Sequence, residues 1–337
     1  MKVSLRPVSG TVRELSPALA AWVREGGDPL VVRTSGSTGA PKDVVLSHRA
    51  VIASARASLE RLGGPGQWLS ALPPTGVGGL QVLVRSILAD EEPVVADEHP
   101  SIPAAIEAMT GMRRYASFVP TQLFRLLASD EAAALSRLDA VLLGGAAAPA
   151  ELLERADLLR IRIVRTYGMS ETSGGCVYDG RPLDGARMRL SADGRVELAG
   201  PMLFDGYGGE PRMGDWFTTS DLGEIDDGVL RVIGRADEII VSGGVNVPLP
   251  AVVEALRRVD GVDDVAVTGV PDDEWGTRIV AVIVGTAELP LLRDAVEAAG
   301  HPRAWAPRDR VLVDALPLLP GGKVDRLAVR EIAAGRT

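Results

Sequence analysis

Between about Leu30 and Gly168, short apolar runs alternate with longer amphipathic stretches. LVVRT (30–34), WLSAL (68–72), PVVAD (93–97), YASFVP (115–120), AVLLGG (140–145) and IRIVRTYG (161–168) predict strands. Residues 47–62, 78–89, 101–112, 121–129 and 149–159 predict helices between them. Strands that alternate with helices imply a mainly parallel sheet covered on both faces. In such sheets ligands bind where the carboxyl ends of strands open into loops. Chemistry is therefore expected in the glycine-rich and polar segments that follow several of these strands.

After about Arg187 the pattern changes. Short alternating strands (RMRL, GRVELAG, VLRVIGR) are separated by turns such as Ala192-Asp193-Gly194 and Asp226-Asp227-Gly228, which predicts a small antiparallel unit. A third regime begins near Asp237. Pro248 to Arg258 and residues 289–300 read as helices, and VAVTGV (265–270) and RIVAVIVG (278–285) as strands. A strand at 310–314 and a helix from Asp325 complete a small α+β domain. The expected fold is thus α/β, with a large domain over 1–236 and a small C-terminal domain over 237–337.

Composition narrows the function. Hydrophobic residues make up 46% and charged residues 24%, an ordinary globular balance. A formal net charge of -9 disfavours nucleic acid or an anionic membrane as partner, though it leaves room for one basic cleft. The one cysteine, Cys176, allows no internal disulfide, and His48, His99 and His301 lack ligand spacing, so a structural zinc site is not expected. No apolar run approaches a membrane span and the start lacks a signal-peptide core, so a cytoplasmic protein is expected. A homo-oligomer is compatible with all of this.

The sharpest local signal follows the first of those strands: Thr34, Ser35, Gly36, Ser37, Thr38, Gly39, Ala40, Pro41 and Lys42. Glycines let the backbone approach a ligand, hydroxyls donate hydrogen bonds, and Lys42 adds a positive charge, a combination suited to the β- and γ-phosphates of a nucleotide. It is not a Walker A loop. Two residues rather than four separate Gly36 from Gly39, and Asp43 follows the lysine where Ser or Thr is required.

This segment resembles the phosphate loop of the acyl-CoA synthetase, adenylation-domain and luciferase superfamily, and further segments match that family in order. Leu143 to Pro149, with Gly144, Gly145 and Ala146, is similar to its adenine-side loop. Thr166-Tyr167-Gly168-Met169-Ser170-Glu171-Thr172 resembles its Tyr-Gly-x-Ser/Thr-Glu motif. Trp216 to Gly223 and Gly234-Arg235-Ala236-Asp237 resemble its ribose and hinge motifs, and Pro317 to Arg326 its catalytic-lysine loop. The resemblance implies ATP, Mg²⁺ and coenzyme A as cofactor and co-substrates, with a small carboxylic acid as the other partner. Tyr167 would stack on adenine, Ser170 would bond an α-phosphate oxygen, and Glu171 would hold Mg²⁺. Asp221 and Arg235 would contact the ribose or phosphate, Asp237 would be the hinge, and Lys323 the catalytic lysine. Taken one at a time these residues also have plainer readings: a core tyrosine, a solvated glutamate, a turn-capping aspartate, a surface ion pair, a loop lysine.

The chain departs from the family at several points. Asp43 stands where Gly is common, Ser220 where Gly often precedes the ribose aspartate, Val241 where Lys is frequent, and Gly76 where many relatives have His. Fewer than forty residues precede the phosphate loop, so part of the usual N-terminal subdomain is expected to be reduced or missing.

Two half-reactions are implied: a carboxylate attacks the ATP α-phosphorus and expels pyrophosphate, then the thiol of coenzyme A displaces AMP. The small domain would rotate about Asp237 between them. Within the superfamily, Ser117 to Leu123, Leu142 to Ala147 and Tyr167 to Gly175 resemble the o-succinylbenzoate–CoA ligases of menaquinone synthesis. A second carboxylate on that acid needs a cation, and Arg125, one turn after Thr121, is the candidate, with a solvated helix face as the equal alternative. Thr121, Gly79 and Ser173 are expected to line the rest of the acyl site. A ligase for another aryl or short-chain acid, an adenylation domain serving a carrier protein, and a non-catalytic nucleotide-binding module are the competing readings.

Overall fold

In the computed structural model, residues 4–34, 41–129, 132–318 and 324–335 are described. A short hairpin, β1 (Ser4–Leu5) and β2 (Val8–Ser9), leads into α1 (Val12–Glu25). Thr11 starts this helix with a capping box: the Glu14 amide donates to its hydroxyl, and its own amide donates to the Glu14 carboxylate at 2.7 Å. Leu15, Leu19 and Trp22 follow at helical spacing and are buried, and Gly26 at φ 78° ends the helix. The buried face packs on β3 (Leu30–Thr34), β4 (Lys42–Leu46) and α2 (His48–Leu62).

The parallel sheet predicted from the alternation forms next in the chain. Its strands are β5 (Gln67–Ser70), β6 (Val94–Val95), β7 (Arg114–Phe118), β8 (Ala140–Leu143) and β9 (Ile163–Met169), interleaved with α3 (Val77–Leu88), α4 (Ile102–Glu107), α5 (Pro120–Leu127) and α6 (Ala150–Leu158). Two antiparallel strands, β10 (Gly174–Tyr178) and β11 (Arg181–Pro182), extend it to seven in the order β11-β10-β9-β8-β7-β5-β6. Alternate residues feed two cores. Trp68, Tyr115, Ala140, Leu142 and Val164 pack with Leu59 and Val82 on one face. Leu69, Ala116, Phe118, Val141 and Leu143 pack with Ile106, Leu123, Leu127, Leu152 and Ala156 on the other. Burying a large apolar side chain is worth about 1.5–3 kcal/mol, so register in this two-faced sheet is strongly specified.

LVVRT does not join that sheet. Strand β3 pairs antiparallel with β4, from Leu30↔Leu46 to Thr34↔Lys42, so the glycine-rich loop bridges a hairpin. The continuation of that sheet is β14 (Gly206–Tyr207) and β15 (Glu210–Pro211), with order β15-β14-β4-β3. Between these segments run β12 (Arg187–Leu190) and β13 (Arg195–Ala199), which form a four-stranded sheet with β16 (Trp216–Asp226) and β17 (Val229–Arg235), the predicted antiparallel unit.

The chain divides into two compact units within β16 and β17: one runs to Thr219 and includes Glu224–Arg231, the other takes Ser220–Gly223 and continues from Val232. The smaller unit contains the hairpin β18 (Ile239–Ser242) and β19 (Val245–Pro248), then α7 (Leu249–Leu256), the long antiparallel pair β20 (Val262–Asp272) and β21 (Gly276–Gly285), α8 (Leu289–Ala298), β22 (Asp309–Leu312) and α9 (Arg326–Ala333). Strand β22 runs parallel to β21. Again β21 alternates: Ile279, Ala281 and Ile283 face a core with Val252, Leu256, Leu292 and Val296, while Val280 and Val282 face Val329 and Ala333. Asp325 caps α9, accepting from the amides of Leu327 at 3.1 Å and Ala328 at 3.2 Å.

Candidate active site

Because β5, β7, β8 and β9 run parallel, the loops that follow them emerge on one edge of the sheet. Gln122, in the first turn of α5, ties two of these loops together. Its side-chain oxygen accepts from the Val119 amide at 3.1 Å, and its amide donates to the Ala71 carbonyl at 2.9 Å. Gly144 ends β8 against β9, where a Cβ would lie 2.2 Å from the Thr166 hydroxyl oxygen, so a side chain there has no room. Gly168 meets β10 just as closely, 2.1 Å from the Gly174 carbonyl oxygen. Beyond β9 the chain makes a short 3₁₀ turn, Ser170–Thr172, ending at Ser173 with φ 51°. Gln81 at 2.8 Å and Ser54 at 2.9 Å both donate to the Ser173 carbonyl and hold that turn.

The turn places Glu171 beside the base of the glycine-rich hairpin. Strand β14 adds to β4 through Gly206↔Val45 and Tyr207↔Val44. From there the Tyr207 hydroxyl donates to Glu171 Oε1 at 2.8 Å. Lys42 Nζ lies 5.1 Å from the centroid of the same ring, within cation–π range. The Glu171 carbonyl also accepts from the Phe204 amide at 2.9 Å. Burial, then the bond to Glu171, push the Tyr207 phenol well above its ordinary pKa, so it stays protonated and donates. Nothing in the local sequence around Tyr207 marked it: the signal is a pairing between strands more than 150 residues apart.

The predicted residues of the large unit fall into three groups. Thr34, Lys42, Gly144, Gly145, Ala146, Ser170 and Glu171 lie on the strand-end loops or the hairpin base, and Thr166, Tyr167 and Gly168 in the second half of β9, all exposed or half-buried. Part of the Tyr167 ring packs on the core around Cys176 and Leu198, and its hydroxyl lies 3.4 Å from that of Thr219. Thr121 and Arg125 lie exposed on α5, beside the exposed Phe124. Gly79 and Ser173, expected to line the acyl site, are buried. A Cβ on Gly79 would sit 2.2 Å from the Pro73 carbonyl oxygen, and the Ser173 hydroxyl donates to the Met202 carbonyl at 2.9 Å. Both side-chain positions are thus taken up by packing and turn support. Cys176 is buried, and burial pushes its thiol up to about 12, which leaves it unreactive.

In the small unit, Asp221 and Arg235 form an ion pair at 3.7 Å, and Arg235 also approaches Glu238 at 3.7 Å. Glu238 pairs in addition with Arg326. Ser35, Gly36, Ser37, Thr38, Gly39, Lys323 and the side chain of Asp237 lie outside the described residues. Asp43, at a position where the family favours Gly, is accommodated by Arg33 across the hairpin. Two hydrogen bonds, at 2.8 and 3.1 Å, hold its carboxyl below the usual range.

The donor set suits a nucleotide-borne Mg²⁺ better than a protein-caged metal. Among the described residues no three His, Cys, Asp or Glu side chains cluster. One Glu171 oxygen takes the Tyr207 bond, and the other has no hydrogen-bond partner among the described residues. Mg²⁺ is commonly held in this way, by one or two carboxylates plus substrate phosphates and water.

Comparison with known proteins gives the family. The AMP-binding enzyme family matches residues 27–210, and the AMP-binding enzyme C-terminal domain matches 252–323. A probable 2-succinylbenzoate–CoA ligase of Mycobacterium tuberculosis (strain ATCC 25618 / H37Rv) is 47% identical over 328 residues, covering 91% of this chain and 85% of its own. The 2-succinylbenzoate–CoA ligase of Listeria monocytogenes serotype 4b is 32% identical over 330 residues, covering 89% of this chain and 69% of its own. Among solved structures, the o-succinylbenzoate CoA synthetase of Bacillus subtilis, in complex with the acyl-adenylate intermediate OSB-AMP, superposes with a TM-score of 0.77 at 25% identity, over 89% of this chain and 68% of that one. With matching motifs in order, a family match over more than half its length and a relative at 47% identity, the chain belongs to the AMP-binding enzymes.

Proposed function

We propose that the protein is an ATP-dependent acid–CoA ligase that forms o-succinylbenzoyl-CoA through an acyl-adenylate, releasing pyrophosphate and then AMP. The observation that carries this reading is the meeting of Glu171 with the lysine end of the glycine-rich hairpin at the carboxyl edge of a parallel sheet. The choice of acid rests on the likeness to the Mycobacterium tuberculosis and Listeria monocytogenes ligases. A role in menaquinone biosynthesis, carried out in the cytoplasm, is part of this proposal. Among the described residues no helix is long and apolar enough to cross a membrane.

Adenylation joins a carboxylate oxygen of the acid to the α-phosphorus while the bond to the bridging oxygen of pyrophosphate breaks. Such transfer needs positioning and charge neutralisation more than a protein nucleophile. We assign the β- and γ-phosphates to Lys42 and the hydroxyls and amides of the glycine-rich loop. Tyr167 and the Gly144–Ala146 backbone are assigned to adenine, Ser170 to the α-phosphate, and Asp221 and Arg235 to the ribose. Glu171 would hold Mg²⁺, which supplies positive charge against the phosphate oxygens. Lys323, presented after Gly321 and Gly322, is assigned to the developing charge at the α-phosphate. In the second step the thiol of coenzyme A attacks the acyl carbon and AMP leaves. Rotation of the small domain about Asp237, withdrawing Lys323, is part of this proposal.

Arg125 is assigned to the second carboxylate of the acid. The decisive assay is CoA-thioester formation with o-succinylbenzoate against benzoate and acetate, followed by AMP release. A clear preference for o-succinylbenzoate is expected. Preference for another acid, or adenylate formation without transfer to CoA, would replace this reading with another ligase or a carrier-protein adenylation domain.

A further inference from the structure

Tyr207 connects two segments that the ligase reading uses separately. Its backbone belongs to β14, which pairs with β4 just past Lys42. On its other side β14 turns back tightly on β15, where a Cβ at Gly206 would lie 2.0 Å from the Glu210 carbonyl oxygen. The ring is packed by Phe204, centroids 4.8 Å apart, and Phe204 is itself 2% exposed and stacked edge-on against Phe217 at 5.1 Å. Phe204 also donates its amide to the Glu171 carbonyl. The phenol is therefore held by its own strand, by a buried aromatic neighbour and by the carboxylate. A free glutamate turns about its last torsions, and a fixed donor on Oε1 removes that freedom and leaves Oε2 as the oxygen on offer.

We propose that Tyr207 is a positioning residue for the Mg²⁺–nucleotide: it orients the Glu171 carboxylate toward the metal and seats the Lys42 ammonium against its ring, so that metal and phosphate binding depend on one side chain. The inference rests on the assignment of Glu171 to Mg²⁺. Hydrogen-bond partners of metal-ligating carboxylates commonly carry 10- to 100-fold of metal affinity or activity.

Tyr207→Phe keeps the ring, its packing and the face under Lys42, and removes only the hydroxyl. Two quantities are read: the Mg²⁺ concentration that half-saturates acid-dependent pyrophosphate exchange, and the calorimetric affinity for ATP with Mn²⁺ and with EDTA. Tyr207→Phe is expected to raise half-saturating Mg²⁺ about 10-fold or more and to weaken Mn²⁺–ATP similarly, with ATP in EDTA unchanged and Tm nearly so. Tyr207→Leu, which also removes the ring face, is expected to weaken ATP in EDTA by a further factor of about 2–5. Glu171→Gln serves as the reference. If Glu171→Gln moves the Mg²⁺ requirement and Tyr207→Phe does not, the positioning role is overturned while the site stands. If neither moves it, the assignment of Glu171 falls and this inference with it.

Discussion

Two half-buried glutamates, one in each unit, have opposite surroundings. Glu171 receives one hydrogen bond from a neutral phenol, and its second oxygen has no hydrogen-bond partner among the described residues. Glu238 lies between two guanidiniums, those of Arg235 and Arg326, with its side chain 12% exposed. A carboxylate held by a neutral donor keeps its full charge to present to a cation. A carboxylate between two arginines is already neutralised, and what it can do is hold those arginines in place. The residue type is the same, and the partner decides whether the carboxylate is left to meet a cation or is already paired. Arg326 lies three residues after Lys323, so the second glutamate anchors the chain next to the lysine assigned to adenylation.

Substitutions can break or sharpen that contrast. The largest effect is expected at Lys323, three residues before Arg326 in the sequence. Lys323→Ala should lower adenylate formation at least about 1,000-fold while sparing thioester formation from supplied acyl-adenylate. Separate assays of the two half-reactions check this, and equal loss in both would argue against a lysine that serves one step only. Next comes Glu171→Gln, expected to reduce adenylation about 100-fold, or about 2.7 kcal/mol in the barrier, with part of the loss recovered at high Mg²⁺.

Glu238→Gln should behave differently in kind. Adenylation should fall by less than about 10-fold, and stability by roughly 1 kcal/mol, because Arg326 is largely exposed and the pair is screened by water. Thermal melts at low salt and at 1 M salt would test this, since screening should narrow the gap between variant and parent. If Glu238→Gln instead matched Glu171→Gln in kinetics and left Tm alone, the contrast between the two carboxylates would be lost. The smallest effect is expected from Asp325→Ala, which removes the cap of α9 next to Arg326. About 1 kcal/mol of stability should be lost in urea unfolding, with adenylation little changed.

The ordered motifs, the α/β class with a large and a small domain, and the family itself were all legible along the chain. Each depends on residues near one another in sequence: a run of β-branched side chains, a glycine-rich turn, a Tyr-Gly-x-Ser-Glu string. Local reading failed where neighbours come from far away. KDVVL (42–46) has strand-forming valines but follows a loop motif directly, and only its pairing with LVVRT reveals a hairpin outside the parallel sheet. Helix α1, capped by Thr11 and Glu14, lay upstream of the region in which strands and helices alternate. Local reading also left out the surroundings of Gly79 and Ser173: both are buried, a Cβ at Gly79 would crowd the Pro73 carbonyl, and the Ser173 hydroxyl donates to the Met202 carbonyl, 29 residues away.

The sequence by itself therefore determined which chemical groups are available and the order in which they occur, because motif and periodicity are properties of short segments. Tertiary structure alone decided which of those groups meet. Tyr207 reaches Glu171 only because β14 adds to β4, and Glu238 becomes an anchor only because α9 brings Arg326 to it. Side-chain partners are set by strand pairing and helix packing over distances that no local pattern encodes.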